Sequence, residues 1–325
     1  MSLKKTSFAV YGVGGCGLRQ VHALGDNLLD GVRIHYMDSA PDVAAVLPRV
    51  TSENSYIIPD GRGSAKDRGT NSATFQTAMP EILRRLKPAD INVVVASAGG
   101  GTGGVAMHHL VGSLMKRENT AVFVFLTLSE TSEAEVQNCT AALRSLQKLC
   151  LINKSSIVVK FLKNGPGEAY KQAMDAEIKD SLVSLFTLCQ HSTLDWRDVK
   201  NLSDPSITPA LKAPFGVYTW DTAAGRIASN FPVLSVATVA AETLETFDLG
   251  CMPKYSCQGT FNSEDHTLVD SENEPDRLFL YVKGNEYPAV FDELSRQCEA
   301  LKSASPDLIT INVGTIDEGD SGIEF

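Results

Sequence analysis

The chain has 325 residues and a formal net charge of −10, and 43% of its residues are hydrophobic. This composition is typical of a globular protein with one large core or two coupled domains. The acidic balance argues against direct nucleic-acid binding. Its seven irregularly spaced cysteines indicate reduced thiols, a cytoplasmic location and no metal site. We expect no signal peptide, and no membrane span because no apolar run approaches the ~20 residues that one requires.

The first half of the chain alternates short apolar strands with amphipathic helices. Strands are predicted at 6–12, 32–38, 56–58, 91–96, 121–128 and 157–162. Helices are predicted at 15–29, at 73–86 with a kink or interruption at Pro80, from the second glycine turn to 116, and at 133–149 behind a capping box at 132–135. This β-α alternation predicts an α/β fold with a doubly wound parallel sheet, which binds ligands beyond the carboxyl ends of its strands.

The second half begins with a long helix and then consists mainly of predicted strands and turns. Apolar residues at nearly 3.6 spacing predict a helix over 168–191. Beyond it, strands are predicted at 217–220, 232–239, 278–282 and 308–313, with one helix at 290–302. We interpret this part as a smaller α+β domain.

Two glycine-rich turns follow strands and open helices. Glycine lets backbone N–H groups approach an anion closely, and a helix N-terminus adds partial positive charge. Two such turns therefore predict one pocket that holds several phosphates of one ligand. The first turn contains Gly12, Gly14, Gly15 and Cys16, and the second contains Gly99, Gly100, Gly101, Thr102, Gly103 and Gly104.

The first turn by itself leaves two ligand classes open. Gly12, Gly14 and Gly17, with Asp38 closing the next strand, fit the dinucleotide fingerprint of an NAD(P)-dependent oxidoreductase. Asp38 could equally bind the ribose hydroxyl of a mononucleotide.

The second turn favours a nucleoside triphosphate. The Thr102 hydroxyl suits a phosphate oxygen or Mg²⁺. The loop at 61–69 supplies Arg62, Lys66 and Arg68 as candidate cations for a terminal phosphate. The GxxxxGK[ST] signature is absent, which argues against a P-loop NTPase.

Five motifs in order along the chain carry a family resemblance. They are GVGGCG at 12–17, MDS at 37–39, AGGGTGG at 98–104, YKQAMD at 170–175 and LDWRDVK at 194–200. In them the chain resembles the tubulin/FtsZ superfamily of self-assembling GTPases, whose signature is GGGTG(T/S)G. The chain length and short acidic tail resemble those of the tubulin-like proteins of large bacteriophages.

The resemblance implies GTP or GDP with Mg²⁺ as ligand, held by both turns, by Asp38 and by Gly63. It implies that Tyr170 stacks on the base, although helical spacing alone would place Tyr170 in the core. Asp175 would accept hydrogen bonds from guanine. Asp195 and Asp198 would act in trans on the nucleotide of the next subunit; otherwise they are simply favourable carboxylates at a helix start.

The resemblance also implies a domain division and partners. The expected parts are a GTP-binding domain at 1–166, a central helix at 167–192, an acidic catalytic loop with the α+β domain at 193–313, and an acidic tail at 314–325. Subunits would polymerise head to tail in a bacterial host cytoplasm to organise phage DNA or particles. The tail would contact a neighbouring subunit or act only as a solubiliser. A tubulin-like module that binds nucleotide without hydrolysing it is a further alternative.

Overall fold

The fold is built on a ten-stranded sheet in a computed structural model of the chain. The structure describes residues 6–25, 31–129, 131–165, 167–203, 215–221, 233–240, 253, 255–261, 277–284 and 287–304. The strands are β1 Phe8–Val13, β2 Arg33–Asp38, β3 Ser55–Ile57, β4 Ile91–Ser97, β5 Ala121–Ser129, β6 Ile157–Asn164, β7 Phe215–Asp221, β8 Val233–Ala240, β9 Tyr255–Thr260 and β10 Arg277–Lys283.

Helices connect these strands and cover both faces of the sheet. They are α1 Gly14–Ala23, α2 Pro41–Ala45, α3 Ser72–Arg85, α4 Gly101–Met115, α5 Glu133–Asn153, α6 Glu168–His191, α7 Trp196–Leu202 and α8 Tyr287–Ala304. Within the ranges described above, no helix is both long and apolar enough to cross a lipid bilayer.

The sheet order is β3-β2-β1-β4-β5-β6-β7-β10-β8-β9. Strands β1 to β7 pair in parallel, and β10 runs antiparallel to both β7 and β8. The predicted doubly wound α/β fold is therefore confirmed. The sheet continues from β6 into β7, where Ile157 pairs with Phe215, so both halves of the chain share it. The domain division at residue 166 stays a prediction.

Alternate residues of each central strand enter two separate cores. On β5, Val124 and Leu126 pack with α3, α4, α5 and α8, whereas Phe123 and Phe125 pack with α1, α6 and α7. Successive side chains of a strand point to opposite faces, so a strand covered on both faces must be apolar throughout. This explains the continuous apolar run that identified β5 in the sequence.

Two local predictions need correction. Helix α3 runs through Pro80, so the predicted interruption is wrong, while the kink stays a prediction. Phe75 and Ile82, on either side of Pro80, both pack in the core and hold the two halves in one helix. The capping box at 132–135 forms only in part: Ser132 accepts from the Glu135 N–H, but the Glu135 carboxylate turns to other partners. The predicted strand at 308–313, the tail at 314–325 and most of the extension of α1 toward residue 29 lie outside the described residues.

Candidate functional site

The two glycine turns meet at the point where the strand order reverses. Strands β1 and β4 lie side by side, with Val13 opposite Ala96, so both turns leave the same edge of the sheet. Gly14 has φ +72°, and a Cβ there would lie 2.7 Å from the Gly103 Cα. A Cβ at Gly103 would lie 2.8 Å from the Ser97 carbonyl oxygen. Contacts below 3.0 Å do not occur for real Cβ atoms, so only glycine allows this approach. The two turns thus form one surface, as the sequence predicts.

The helix N-terminus at the second turn is bonded to the loop 61–69. The Thr102 N–H donates to Ser64 Oγ over 2.9 Å, and the Thr102 and Ser39 hydroxyls lie 2.6 Å apart. Gly63, at φ +76°, donates its N–H to the Ser39 carbonyl over 3.0 Å. Three hydroxyl groups therefore converge on the start of α4, where a phosphate oxygen or a hard cation such as Mg²⁺ would find suitable partners.

The three candidate cations of this loop differ in their surroundings. Lys66 Nζ forms an ion pair with Glu135 Oε1 at 2.9 Å. Arg68 packs against the backbone of Gly104, and burial lowers the pKa of its guanidinium. Arg62 is exposed. Among these three cations, Lys66 is therefore the one that the structure places in an ion pair beside the second turn.

Asp38 lies at the carboxyl end of β2 beside the first turn. Its Oδ1 accepts from the Ser39 N–H over 2.7 Å. Its Oδ2 is buried without a hydrogen-bond partner among the described residues and lies 3.8 Å from the Cβ position of Gly15. Burial raises the pKa of this carboxyl to about 6, against the opposing effect of N–H groups at Ser39 and Ala40. A buried carboxylate oxygen without a partner is suited to a ligand hydroxyl.

The raised pKa of Asp38 leads to a test by Asp38→Asn. The folded carboxyl holds its proton up to about pH 6, above its ordinary 3.8, so the contribution of Asp38 to wild-type stability falls as pH rises from 4 to 7. Asparagine does not titrate. We expect the stability of the variant relative to wild type to increase over this range by up to about 3 kcal/mol.

Urea unfolding at several pH values measures this difference, and Asp42→Asn on the exposed helix α2 is the matched control. Stability curves for Asp38→Asn and wild type that run parallel from pH 4 to 7 would contradict the assigned environment.

The start of α6 carries the predicted base contacts. The side chain of Tyr170 is 55% exposed, so the alternative that it is a core residue is wrong. Its ring packs over Gly165, where a Cβ would lie 2.8 Å from Tyr170 Cδ1. Asp175 is half-buried, and its Oδ1 has no partner within the part of the chain that the structure describes. Burial, and then the charge of Glu168, raise the Asp175 pKa.

Asp175 also faces the first turn. Burial raises the pKa of the Cys16 thiol to about 11, and the negative charge of Asp175 contributes to this shift. The start of α6 and the first glycine turn therefore border a common space. The predicted base contacts and phosphate contacts lie on the same side of the sheet.

Two polar residues at this edge were missed in the sequence. Gln20 is buried in α1, where its Nε2 donates to Thr127 Oγ1 over 3.2 Å and contacts Met174 Sδ at 3.4 Å. Its Oε1, like Asn164 Oδ1 at the end of β6, is buried without a partner among the described residues. No local pattern singles these two residues out, since Gln20 follows Arg19 and Asn164 follows Lys163.

Asp195 and Asp198 cap helix α7. Asp195 Oδ1 accepts from the N–H groups of Arg197 and Asp198 over 2.7 and 3.0 Å, and Asp198 Oδ2 accepts from the Asp195 N–H over 3.1 Å. The Tyr255 hydroxyl donates to Asp198 Oδ1. These hydrogen bonds form a capping box, which is the structural role expected of carboxylates at a helix start. Asp195 is nevertheless exposed.

The acidic pair lies at the opposite edge of the sheet from the glycine turns. Gln190, near the end of α6, donates to the Thr6 carbonyl before β1, and Lys200 donates to the Thr120 carbonyl before β5 over 3.3 Å. The stretch of α6 from Tyr170 to this end is roughly 30 Å at 1.5 Å per residue. One chain therefore cannot bring Asp195 and Asp198 to its own glycine turns.

Comparisons with known proteins agree with this architecture. No family model matches the chain. The phage tubulin-like protein of Pseudomonas phage PhiPA3 is 26% identical over 151 residues, which are 46% of this chain and 47% of that protein. The chain spans about half the length of the curated relatives it matches.

Solved structures match over nearly the whole chain. A protofilament of TubZ from bacteriophage PhiKZ is 19% identical and superimposes with a TM-score of 0.81 over 95% of this chain and 96% of that one. The chain has the tubulin/FtsZ fold. The phage tubulin PhuZ, in a structure with GDP, gives a TM-score of 0.79 at 18% identity over 97% of this chain and 98% of its own. The resemblance to the tubulin/FtsZ superfamily and its phage members is thus confirmed.

The strand order by itself does not distinguish a dinucleotide ligand from a mononucleotide. The order of β1 to β6 is 3-2-1-4-5-6, which dinucleotide-binding proteins also have. The similarity to the phage tubulins extends beyond these strands, through α6 and into the second half of the chain. The ligand must therefore be argued from the side chains at the glycine turns.

Proposed function

We propose that this tubulin-like chain is a GTP-binding and GTP-hydrolysing protein that polymerises head to tail into dynamic filaments. The observation that carries the proposal is the separation of two incomplete half-sites. The phosphate-binding turns lie at one edge of the sheet, and the acidic pair with its exposed Asp195 lies at the other. Stacking of one subunit on the next brings these edges together.

The backbone of both turns would hold the phosphates. Helices α1 and α4 begin side by side, with Gly14 against Gly103, and partial positive charge at both helix ends favours an anion. Gly63 and the hydroxyl groups of Ser39 and Thr102 complete the lining. Bound Mg²⁺ would neutralise charge on the phosphate oxygens.

The nucleoside end would be selected by side chains. Asp38 Oδ2 would accept from a ribose hydroxyl, and Tyr170 would stack on the base with about 1–3 kcal/mol. Asp175 would accept from guanine N1–H and N2–H₂, a pair of donors that adenine does not offer. Asp175 Oδ1, which has no hydrogen-bond partner among the residues that the structure describes, supports this role.

Hydrolysis would be completed by the next subunit in the filament. Asp195 and Asp198 would position or polarise the attacking water, which is the main requirement of phosphoryl transfer. Loss of the terminal phosphate would then weaken the contact between subunits and make the polymer dynamic.

The relatives support a proposal about the partners and the cellular setting. One similar structure is a TubZ protofilament and another is a PhuZ201 filament, both of phage-tubulin type. We infer that this chain assembles with copies of itself in a bacterial host cytoplasm and organises or positions phage DNA or particles without binding DNA directly. The acidic tail at 314–325 would contact a neighbouring subunit.

The proposal predicts nucleotide-specific assembly. Right-angle light scattering of the purified chain should rise after addition of GTP with Mg²⁺, and should not rise with ATP, GDP or NADH. Scattering should then decay as GTP is consumed. Tight binding of NADH with no response to GTP would overturn the proposal in favour of an oxidoreductase, the alternative that the strand order and the first turn permit.

A further inference from the structure

The segment 61–69, here called the strap, lies across the start of the second glycine turn and is held there by hydrogen bonds and packing contacts. Ser64 Oγ accepts from the Thr102 N–H, and the strap backbone at Asp67 packs against Gly101, where a Cβ would lie 2.5 Å from the Asp67 carbonyl oxygen. The Asn138 amide on α5 donates to the carbonyl oxygens of both Lys66 and Gly99, over 2.8 and 3.0 Å. A phosphate oxygen that binds the Thr102 N–H must therefore replace Ser64.

The strap backbone depends on these contacts. Ala65 and Lys66 have φ values of +45° and +68°, which are left-handed conformations in two consecutive residues that carry a Cβ. Such residues are unfavourable there and keep the conformation only when surrounding bonds hold them. Replacement of one of these hydrogen bonds or packing contacts by a ligand contact would therefore allow the strap backbone to rearrange.

The Lys66–Glu135 ion pair is a charged contact that holds the strap against helix α5. Lys66 Nζ lies 2.9 Å from Glu135 Oε1, while Glu135 Oε2 accepts from the hydroxyls of Ser129 and Thr131. Burial alone would raise the Glu135 pKa, but these hydrogen bonds and Lys66 hold it below its ordinary value. Glu135 is therefore a fixed anion at the side of the site, although its position in α5 predicted a capping role.

We propose, on the basis of the function proposed above, that Lys66 exchanges Glu135 for the terminal phosphate of a bound nucleoside triphosphate. A diphosphate lacks the group that competes for Lys66, so the ion pair and the strap stay in place. Glu135 then acts as a specificity-determining residue: it lowers the affinity for the triphosphate and leaves that for the diphosphate nearly unchanged.

A double-mutant cycle on the full chain tests this exchange. Dissociation constants for GTPγS and GDP are measured by competition with a fluorescent GDP analogue, for wild type, Glu135→Gln, Lys66→Met and the double variant. Glutamine keeps the acceptor for Ser129 and Thr131 but removes the charge. We expect Glu135→Gln to tighten GTPγS binding about three- to ten-fold with little change for GDP. In the Lys66→Met background the same substitution should have no effect.

The controls separate this inference from the proposed function. Glu133→Gln, two residues away on α5, should leave both affinities unchanged. Equal shifts for GTPγS and GDP in Glu135→Gln, or an effect of Glu135→Gln that persists in Lys66→Met, would overturn the exchange alone. Should Glu135→Gln fold poorly, Lys66→Met decides by itself, since an equal loss for both nucleotides is the contrary result. A wild-type chain that binds neither nucleotide overturns the proposed function itself.

Discussion

Replacement of Asp198 by asparagine should lower the rate of GTP hydrolysis in filaments about 100-fold or more, while GTP binding and assembly persist. The expected size is that of a positioned acid–base or water-orienting group. Asparagine can still accept from the Asp195 N–H and can donate to the Tyr255 hydroxyl, so the cap of α7 survives. Alanine would remove the bond from Asp198 back to the Asp195 N–H and the partner of Tyr255, at a cost of about 1 kcal/mol, and would confuse stability with catalysis. Phosphate release and filament pelleting at saturating GTP measure the two effects.

Tyr255→Phe is the matched control for Asp198→Asn. It removes the hydrogen bond to Asp198 Oδ1 but keeps the charge, so hydrolysis should change only a few-fold. A wild-type rate in Asp198→Asn would show that the acidic pair only caps α7. An equally slow Tyr255→Phe would show that the position of α7, and not the carboxylate, controls the rate.

Replacement of Asp175 by asparagine should change the preferred base from guanine to xanthine. The carboxylate suits the two donors of guanine, whereas an amide can accept from xanthine N1–H and donate to its C2 oxygen. A bidentate contact of this kind is worth about 1–3 kcal/mol, so GTP should bind roughly ten- to hundred-fold more weakly and XTP correspondingly more tightly. Competition binding with both nucleotides measures the exchange.

Asp180→Asn, an exposed carboxylate on the same helix, is the control and should leave both affinities unchanged. In wild type the raised Asp175 pKa adds a pH signature: on acidification GTP affinity should decline at a higher pH than for an ordinary aspartate, as the carboxyl becomes protonated and loses its acceptor role. Asp175→Asn should lack this decline. Unchanged base preference in Asp175→Asn would remove Asp175 from the base contact.

The two variants together test catalysis between subunits. Filaments of Asp198→Asn alone hold GTP but lack the carboxylate. When Asp175→Asn chains with XTP are mixed in, they supply an intact Asp198 to neighbouring GTP sites, so GTP hydrolysis should recover. Failure to recover in demonstrably mixed filaments would contradict action in trans.

Local patterns in the sequence were sufficient for most of the elements and for their order, although helix α2 and strand β9 were missed. Both glycine turns, the strand ends beside them and helix α6 could be predicted because strand and helix periodicities are properties of consecutive residues. The predictions that failed were those that depend on packing. Pro80 stays within α3 because distant core residues hold both halves of the helix. Glu135 left its cap because its carboxylate binds the Ser129 and Thr131 hydroxyls and the ammonium of Lys66, which lies about seventy residues earlier in the sequence.

The sequence by itself thus determined the two phosphate-binding turns, since a glycine-rich turn between a strand and a helix carries its own backbone chemistry. Only the tertiary structure decided how the parts of the candidate site are arranged in space. Gly14 meets Gly103 because β1 and β4 are neighbours in the sheet, and the acidic pair lies at the far edge because α6 runs back along the whole length of the strands. Such distances between remote residues are set by sheet order and helix packing, which no local pattern contains.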